Sequence, residues 1–406
     1  MRRLCIILSL FFVFLLPTVA CTTAIISGKY TVNGRPLLYK HRDTGSLQNK
    51  LMAFSDGKYR YIGIVNSSDN IGREVWGGYN ETGFAIMNSA SYNLNPEEKG
   101  KPELEGEVMK LALQQCVTVD DFQRLLDSLP KPMYLSANFG VIDAQGNGAY
   151  FETGDYKYVK FDVNDTITAP HGYLLRTNFS HKGDDSKRRG VARYIEAAGM
   201  FNLAASVDSL SARFLFNDVS RNLTHGITNV DLYNSTPEDP GLLAFVSFRD
   251  FIPRYSTASV IVIEGVKQRE SPDFTTMWTT MGSPLSTVAI PVWLNKDNYY
   301  PSVLLADETG NAPLCNWSLK IKKQLFPLAG EEGKDYLRLA SLINKQGTGI
   351  MQETARIEQE ILLKSNEQLT LMREGRITPD KIKDFCDWVD QYVTEEYFKT
   401  FNTLKE

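Results

Sequence analysis

The chain has 406 residues, of which 43% are hydrophobic and 23% are charged. This length and apolar content are sufficient for one large or two smaller globular domains. The formal net charge is −4 and no basic block is present, so we expect no nucleic-acid partner. The four histidines and five cysteines form no CxxC or HExxH pattern, and the sequence gives no support for a metal or another cofactor.

The first 20 residues have the pattern of a cleaved signal peptide. Two arginines precede an apolar run over residues 4–16, which is too short for a comfortable membrane span. Thr18 and Ala20 place small residues at positions −3 and −1 before Cys21. We therefore expect export to the periplasm or the extracellular space. No later segment has the ~18 apolar residues of a membrane span, so we expect no transmembrane helix in the mature chain.

Residues 21–162 predict mainly β-strands, interrupted by two helices. Asn33-Gly34 predicts a tight hairpin turn, residues 80–83 predict a second turn, and Thr118 with Asp121 resembles a helix-capping pair. The predicted strands cover residues 22–27, 37–40, 52–54, 59–65, 74–79, 84–88, 136–142 and 149–152, and the helices cover 106–115 and 119–128.

The second half of the chain alternates short blocks of the same two types. Strands are predicted at 173–178, 258–264, 275–281 and 287–293, and helices at 186–198, 206–217 and from 335 to the end. Blocks of strands followed by blocks of helices favour antiparallel sheets covered by helices over a parallel βαβ sheet.

Cys21 is the candidate nucleophile because strand character begins directly after the expected cleavage site. A chain cut before Cys21 carries a thiol and an α-amine on one residue. The amine has an ordinary pKa near 7.7–8.0, so part of it is a free base at neutral pH. It can accept the thiol proton, and the thiolate can attack a carbonyl.

Two other interpretations of Cys21 stay open at this point. It could be the lipidated cysteine of a lipoprotein, although the strand-like segment 22–26 is no polar tether, or it could be an inert exported cysteine. His41 could act as the base of a Cys–His pair, although a lone strand histidine is usually structural. Cys315 and Cys386 could form a disulfide or stay unpaired.

The string CTTAIISGKYTVNGRPLLYKHRDTG over residues 21–45 resembles the start of cysteine-type N-terminal-nucleophile hydrolases. It is similar to the group of choloylglycine hydrolases, penicillin V acylases and penicillin acyltransferases. Further landmarks of this resemblance follow in order at residues 80–84, 138–139, 143–146, 152, 176–178 and 253–259.

The resemblance implies an α+β fold, a four-layer αββα sandwich with Cys21 at the end of a central strand. The resemblance covers roughly residues 21–265. From the pattern beyond it we expect a catalytic domain over residues 21–312, followed by a helical extension over 313–406 packed on the core. The implied reaction is hydrolysis of a linear amide C–N bond in a small N-acyl substrate through a thioester on Cys21. Acyl transfer to another amine is the same chemistry.

The resemblance also assigns site residues by position. Asp43 matches the aspartate that orients the terminal amine, Asn178 matches an asparagine that holds the oxyanion, and Arg254 matches an arginine near the nucleophile. Asn88 lies about two residues from the register of the second oxyanion asparagine.

The sequence departs from the family pattern at the position three residues before Asp43. The family has arginine there and this chain has Lys40, while Arg42 adjoins the aspartate. Either side chain could supply the substrate-binding cation. A terminal-cysteine dipeptidase and a non-catalytic lipid-anchored binding protein remain alternatives, and the acyl group, the amine and a homo-oligomeric state stay open.

Overall fold

A computed structural model describes residues 20–95, 103–377 and 379–404; the predicted signal peptide, apart from Ala20, lies outside these ranges. The strands in chain order are β1 (Ala20–Ile26), β2 (Leu37–Asp43), β3 (Asn49–Phe54), β4 (Tyr61–Asn66), β5 (Gly77–Asn80), β6 (Ala85–Ala90), β7 (Ala137–Ile142), β8 (Gly148–Thr153), β9 (Tyr158–Asp162), β10 (Tyr173–Arg176), β11 (Phe245–Ser247), β12 (Thr257–Glu264), β13 (Thr276–Met281), β14 (Ala289–Val292) and β15 (Tyr336–Arg338).

Among the described residues, two helices lie early in the chain, one lies in the middle and the other five lie near its end. They are α1 (Glu105–Gln115), α2 (Val119–Ser128), α3 (Val191–Ser206), α4 (Pro313–Leu325), α5 (Gly330–Gly333), α6 (Leu339–Leu342), α7 (Ile350–Arg373) and α8 (Pro379–Thr400). Within the described ranges, no helix is long and apolar enough to cross a bilayer.

Two large antiparallel sheets form the centre of the molecule. Sheet A has six strands in the order β10-β1-β2-β12-β13-β14, and sheet B has seven strands in the sequential order β3 to β9. Strands β1 and β2 of sheet A contact β6 and β7 of sheet B, so the sheets stack face to face. Side chains alternate between the two faces of each strand, which gives every strand one face for this interface and one for the helices.

Three apolar clusters occupy the spaces between the layers. One cluster joins the facing sides of the two sheets and includes Ile25, Leu38 and Met87. The outer side of sheet B packs against α1 and α2, and the outer side of sheet A packs against α3 through residues such as Tyr39 and Phe201. The order helix, sheet, sheet, helix confirms the predicted αββα sandwich.

The chain after residue 312 shares its apolar core with the sheets. Leu314 of α4, Ile361 of α7 and Val389 of α8 belong to the same cluster as Ile290 of β14. α7 also forms a buried ion pair with the segment after α3, where Arg221 lies 2.6 Å from Glu358. The boundary between a catalytic domain and an extension at residue 312 stays a prediction.

Sequence motifs predict the local structure correctly where a side chain forms a hydrogen bond with a nearby backbone group. The predicted capping pair is confirmed, since the Thr118 hydroxyl accepts from the Asp121 amide and the Asp121 carboxylate accepts from the Thr118 amide. The turn at residues 80–83 is also confirmed, with Gly83 at φ 81° and Asn80 oxygen accepting from the Thr82 amide.

Several predicted boundaries are wrong for identifiable local reasons. Asn33-Gly34 does not form a two-residue hairpin, because a 3₁₀ turn over Gly28–Tyr30 lengthens the connection. α3 begins at Val191 and not at 186, because Gly190 at φ 76° separates it from the preceding turn. Over the predicted helix at 206–217 the chain instead makes a π-helical turn at Phe214–Val219.

Three strands, β9, β11 and β15, were not predicted, because their partners and not their sequences define them. β9 pairs with the end of the sheet B meander. β15 pairs with β11, which lies about 90 residues earlier in the chain, so the predicted helical region does not begin at residue 335.

Candidate active site

Cys21 lies in β1, an interior strand of sheet A, and only 2% of its surface is exposed. In the antiparallel register of β1 and β2 Cys21 faces Arg42, and directly opposite residues project to the same side of a sheet. Ile25 and Leu38 on this side belong to the core between the sheets. Alternation along the strand therefore directs the Cys21 side chain toward the space between the two sheets.

Two side chains hold the backbone of Cys21. Its amide donates to Asn178 Oδ1 at 2.9 Å, and its carbonyl accepts from Arg193 Nη1 at 2.5 Å. Arg193 Nη2 also donates to Asn178 Oδ1 at 2.7 Å. Both groups are donors, so Asn178 must present its oxygen to them, and its Nδ2 donates to Ala90 O at 3.1 Å. Asn178 thus holds the nitrogen that processing would free, and its predicted oxyanion role stays a prediction.

Asp43 lies at the end of β2, opposite Ala20. Its Oδ2 accepts from Arg254 Nε at 3.0 Å and Nη2 at 2.5 Å, and its Oδ1 accepts from Thr257 Oγ1 at 2.7 Å. Burial by itself would raise the pKa of Asp43, but neighbouring cations, Arg254 foremost, outweigh it and hold the pKa below its ordinary value. The carboxylate is therefore charged, and it lies beside the bond whose cleavage would free the amine.

His41 lies on the opposite side of the strand from the Cys21 thiol. It faces Thr22 in the register of β1 and β2, and its Nε2 is 3.1 Å from Thr257 Oγ1 and 3.6 Å from Asp43 Oδ1. Burial lowers its pKa to about 4, so the imidazole is neutral at physiological pH. This placement does not favour the Cys–His interpretation.

Lys40 and Arg42 both project to the side of the thiol, and each interacts with the charge of Cys21. The Lys40 ammonium donates to Asn88 Oδ1 at 2.6 Å and to Trp76 O at 2.7 Å. Burial lowers its pKa to about 7. Because an ammonium only donates, Asn88 must turn its oxygen toward Lys40, which leaves its NH₂ group directed elsewhere. The structure thus links two predicted site residues that the sequence could not connect.

Arg42 is held more firmly than Lys40 by the protein itself. Its guanidinium donates to the side-chain oxygens of Asn49 and Asn66, and it stacks over the Trp76 ring at 4.9 Å from the centroid. Both side chains contact sheet B, but Lys40 is the one that donates to Asn88, the asparagine that resembles an oxyanion residue. Lys40 is the better candidate for the cation that acts in the site.

Sequence reasoning missed Arg193 and Tyr92. Arg193 shares one side of α3 with the buried residues Ala197 and Phe201, and a single arginine on an apolar helical stripe was the signal that could have found it. Tyr92 follows β6, and its backbone amide donates to Asn178 O at 3.2 Å. Burial raises the pKa of Tyr92, and the charge of Cys21 raises it further.

Cys116, Cys315 and Cys386 are buried and unpaired, so Cys315 and Cys386 do not form a disulfide. Burial raises the pKa of Cys116 to about 12 and that of Cys315 to about 11, which makes them poor nucleophiles. Among the described residues, no group of three or more histidine, cysteine or acidic side chains is arranged to hold a metal ion.

Two stacked antiparallel sheets between helical layers, with a cysteine near the start of an interior strand, define the fold of an N-terminal-nucleophile hydrolase. Residues 31–207 match the family described as acyl-coenzyme A:6-aminopenicillanic acid acyl-transferase. The predicted resemblance is therefore confirmed. The matched range contains Asp43, Asn88 and Asn178, while Cys21 and Arg254 lie outside it. No match is found among curated protein sequences.

Solved structures with similar folds include penicillin V acylase from Agrobacterium tumefaciens, at 17% identity and a TM-score of 0.40 over 68% of this chain and 86% of that chain. A variant of conjugated bile acid hydrolase from Clostridium perfringens gives 12% identity and a TM-score of 0.40 over 68% and 94%. The Caenorhabditis elegans ortholog of N-acylethanolamine-hydrolyzing acid amidase gives 15% and 0.33 over 49% and 89%.

Proposed function

We propose that this chain is an exported hydrolase that cleaves the amide C–N bond of a small N-acyl substrate through a thioester on Cys21. Signal peptidase removes residues 1–20 during export, and the cut frees the α-amine that serves as the base. Processing and activation are then one event, because the precursor has an amide at that nitrogen.

The observation that supports this proposal most strongly is the way in which the protein holds Cys21. The Cys21 nitrogen donates to Asn178 Oδ1 at 2.9 Å while the side chain projects toward Lys40 and Arg42. A nucleophile and a base on the same residue need such fixation, because a freely rotating terminal residue would lose their alignment. The cations favour the thiolate and the negative charge that develops on a carbonyl oxygen.

The reaction proceeds in two steps. In the first, the Cys21 thiol passes its proton to the α-amine, and sulfur attacks the substrate carbonyl. Asn88, oriented by Lys40, is the candidate donor to the oxyanion, with Asn178 as the second donor. The intermediate collapses as the ammonium of Cys21 returns the proton to the leaving amine, which leaves a thioester.

In the second step, a water molecule gives one proton to the α-amine and attacks the thioester carbonyl. The sulfur leaves and recovers the proton, and the carboxylic acid is released. An amine in place of water gives acyl transfer, and the match to an acyltransferase family supports measuring both outcomes.

Burial argues against a lipid anchor. Cys21 is 2% exposed and lies in β1, a strand that pairs with β10 on one side and with β2 on the other. A diacylglyceryl group on this sulfur would have to occupy the space between the sheets, so lipidation would require β1 to leave sheet A.

A panel of N-acyl amino acids with aliphatic, aromatic and polycyclic acyl groups, alongside matched dipeptides, tests the proposal. Release of the amine is measured with the purified mature protein and with Cys21→Ala as the control. We expect release from some N-acyl compounds and none with the variant. Cleavage of the dipeptides alone would favour a dipeptidase, and release that persists in Cys21→Ala would refute the assignment.

A further inference from the structure

Arg193 is a buried arginine whose hydrogen bonds converge on the candidate nucleophile. Its Nη1 donates to Cys21 O at 2.5 Å and to Thr22 Oγ1 at 3.1 Å. Its Nη2 donates to Asn178 Oδ1 at 2.7 Å, the same oxygen that accepts from the Cys21 nitrogen. The contacts form a closed ring around the backbone of Cys21.

The charge of Arg193 has no carboxylate of its own among the described residues. The buried Arg221 pairs with Glu358, and Arg254 pairs with Asp43, whereas Arg193 interacts with Asp43 only through its longer-range field. Its Nε has no hydrogen-bond partner within the described ranges. Burying an unpaired cation is costly, so a purely structural role would be better filled by an uncharged side chain.

Burial lowers the pKa of Arg193 to about 10, and the guanidinium is therefore still charged at neutral pH. A fixed positive charge disfavours further positive charge nearby. The charge of Arg193 therefore destabilises the fully protonated pair, which consists of an ammonium and a thiol. The pair that has lost one proton is destabilised less.

We propose that Arg193 is a positioning residue that clamps the Cys21 backbone and lowers the pH at which the thiol–amine pair loses its first proton. The inference rests on the proposed function, because it assigns Arg193 a task in preparing that nucleophile. Arg193 holds Cys21 directly through its carbonyl oxygen and indirectly through Asn178 Oδ1, which accepts from the Cys21 nitrogen. Its charge lowers the proton affinity of the pair.

Other charged and titratable groups lie near this pair and have to be held constant in a test. They are Lys40, His41, Arg42 and Asp43 of β2, Tyr92 after β6, and Arg254 before β12. Substitution at Arg193 leaves all of these residues in place.

The test compares Arg193→Gln, which keeps an amide donor without charge, with Arg193→Lys, which keeps the charge without the two-point fork. The rate of Cys21 alkylation by iodoacetamide is measured against pH by mass spectrometry of the N-terminal peptide, and turnover is measured in parallel. Arg221→Lys is the control, since it perturbs a buried arginine outside the site.

For Arg193→Gln we expect the alkylation midpoint to rise by about one pH unit, so that the rate below the midpoint falls roughly tenfold. For Arg193→Lys we expect the midpoint to stay near that of the wild type while turnover falls at least about tenfold. Arg221→Lys should lower thermal stability and leave the midpoint unchanged.

A folded Arg193→Gln protein with the wild-type midpoint would refute the electrostatic role. Full turnover in Arg193→Lys would refute the two-point clamp, and this variant keeps the test decisive if the glutamine variant does not fold. Alkylation needs no substrate. A shifted midpoint in a protein that hydrolyses nothing in the panel would therefore count against the proposed function and not against the role of Arg193.

Discussion

Replacing Asp43 with asparagine separates two effects that usually coincide, thiol reactivity and turnover. The carboxylate accepts from Arg254 and from Thr257. An asparagine has nearly the same shape and keeps one acceptor oxygen for Arg254, while its NH₂ can donate to Thr257 Oγ1. The substitution therefore removes a charge and largely preserves the packing.

The expected loss of stability follows from breaking the ion pair between Asp43 and Arg254. Removing one partner of a buried pair costs about 3–5 kcal/mol. The Arg254 side chain keeps 18% exposure and can recover part of its hydration, so we expect a loss of about 2–3 kcal/mol in the free energy of unfolding. The loss of one negative charge should also favour the thiolate of Cys21, because a nearby carboxylate disfavours a second negative charge.

Asp43→Asn should change the alkylation rate of Cys21 and the turnover rate in opposite directions. Below the midpoint, Cys21 should be alkylated up to about tenfold faster in Asp43→Asn than in the wild type. Turnover should nevertheless fall, on the order of tens- to a thousand-fold, because no carboxylate then stabilises the ammonium formed when the amine takes the thiol proton.

Asp250→Asn is the matched control. Asp250 Oδ1 lies 3.9 Å from Arg254 Nη1 and its side chain is 52% exposed, so this substitution should change neither alkylation nor turnover by more than about twofold. Wild-type turnover in Asp43→Asn, or slower alkylation, would show that the carboxylate does not act on the amine of Cys21.

Three further outcomes are expected. Cys21→Ala should abolish turnover with the fold intact by circular dichroism, whereas Cys116→Ala should keep activity; the reverse pattern would identify a different nucleophile. His41→Asn should leave the pH profile of turnover unchanged above pH 5, because burial already lowers the pKa of His41 to about 4, and a flattened profile would favour a Cys–His pair. Glu358→Gln should lower the free energy of unfolding by about 3 kcal/mol because it leaves Arg221 unpaired in a buried site, and urea denaturation should show this without any shift in the alkylation midpoint of Cys21.

Sequence patterns were sufficient where the determining contacts are local. Alternating side chains and turn residues located most strands of both sheets, and the Thr118 cap fixed the start of α2. The β-branched and apolar residues after the expected cleavage site predicted a strand over residues 22–27, and β1 covers Ala20–Ile26.

Contacts between distant segments could not be predicted in this way. Arg193 and Cys21 are 172 positions apart, and Lys40 and Asn88 are 48 apart. The residues that neighbour Lys40 in the sequence do not indicate that its ammonium forms a hydrogen bond with the side chain of Asn88. The resemblance to a family supplied Asp43 and Arg254, whose pairing spans 211 positions, but it gave no role to Arg193.

The most direct test is a mass measurement on the protein purified after expression of the full chain, intact and after rapid quenching with an N-acyl substrate. We expect the chain to begin at Cys21 with an unmodified amine. We also expect the quenched protein to carry the acyl mass as a thioester on the N-terminal peptide. A chain that begins elsewhere, a diacylglyceryl mass on Cys21, or an acyl group on Cys116, Cys315 or Cys386 would contradict the proposed function.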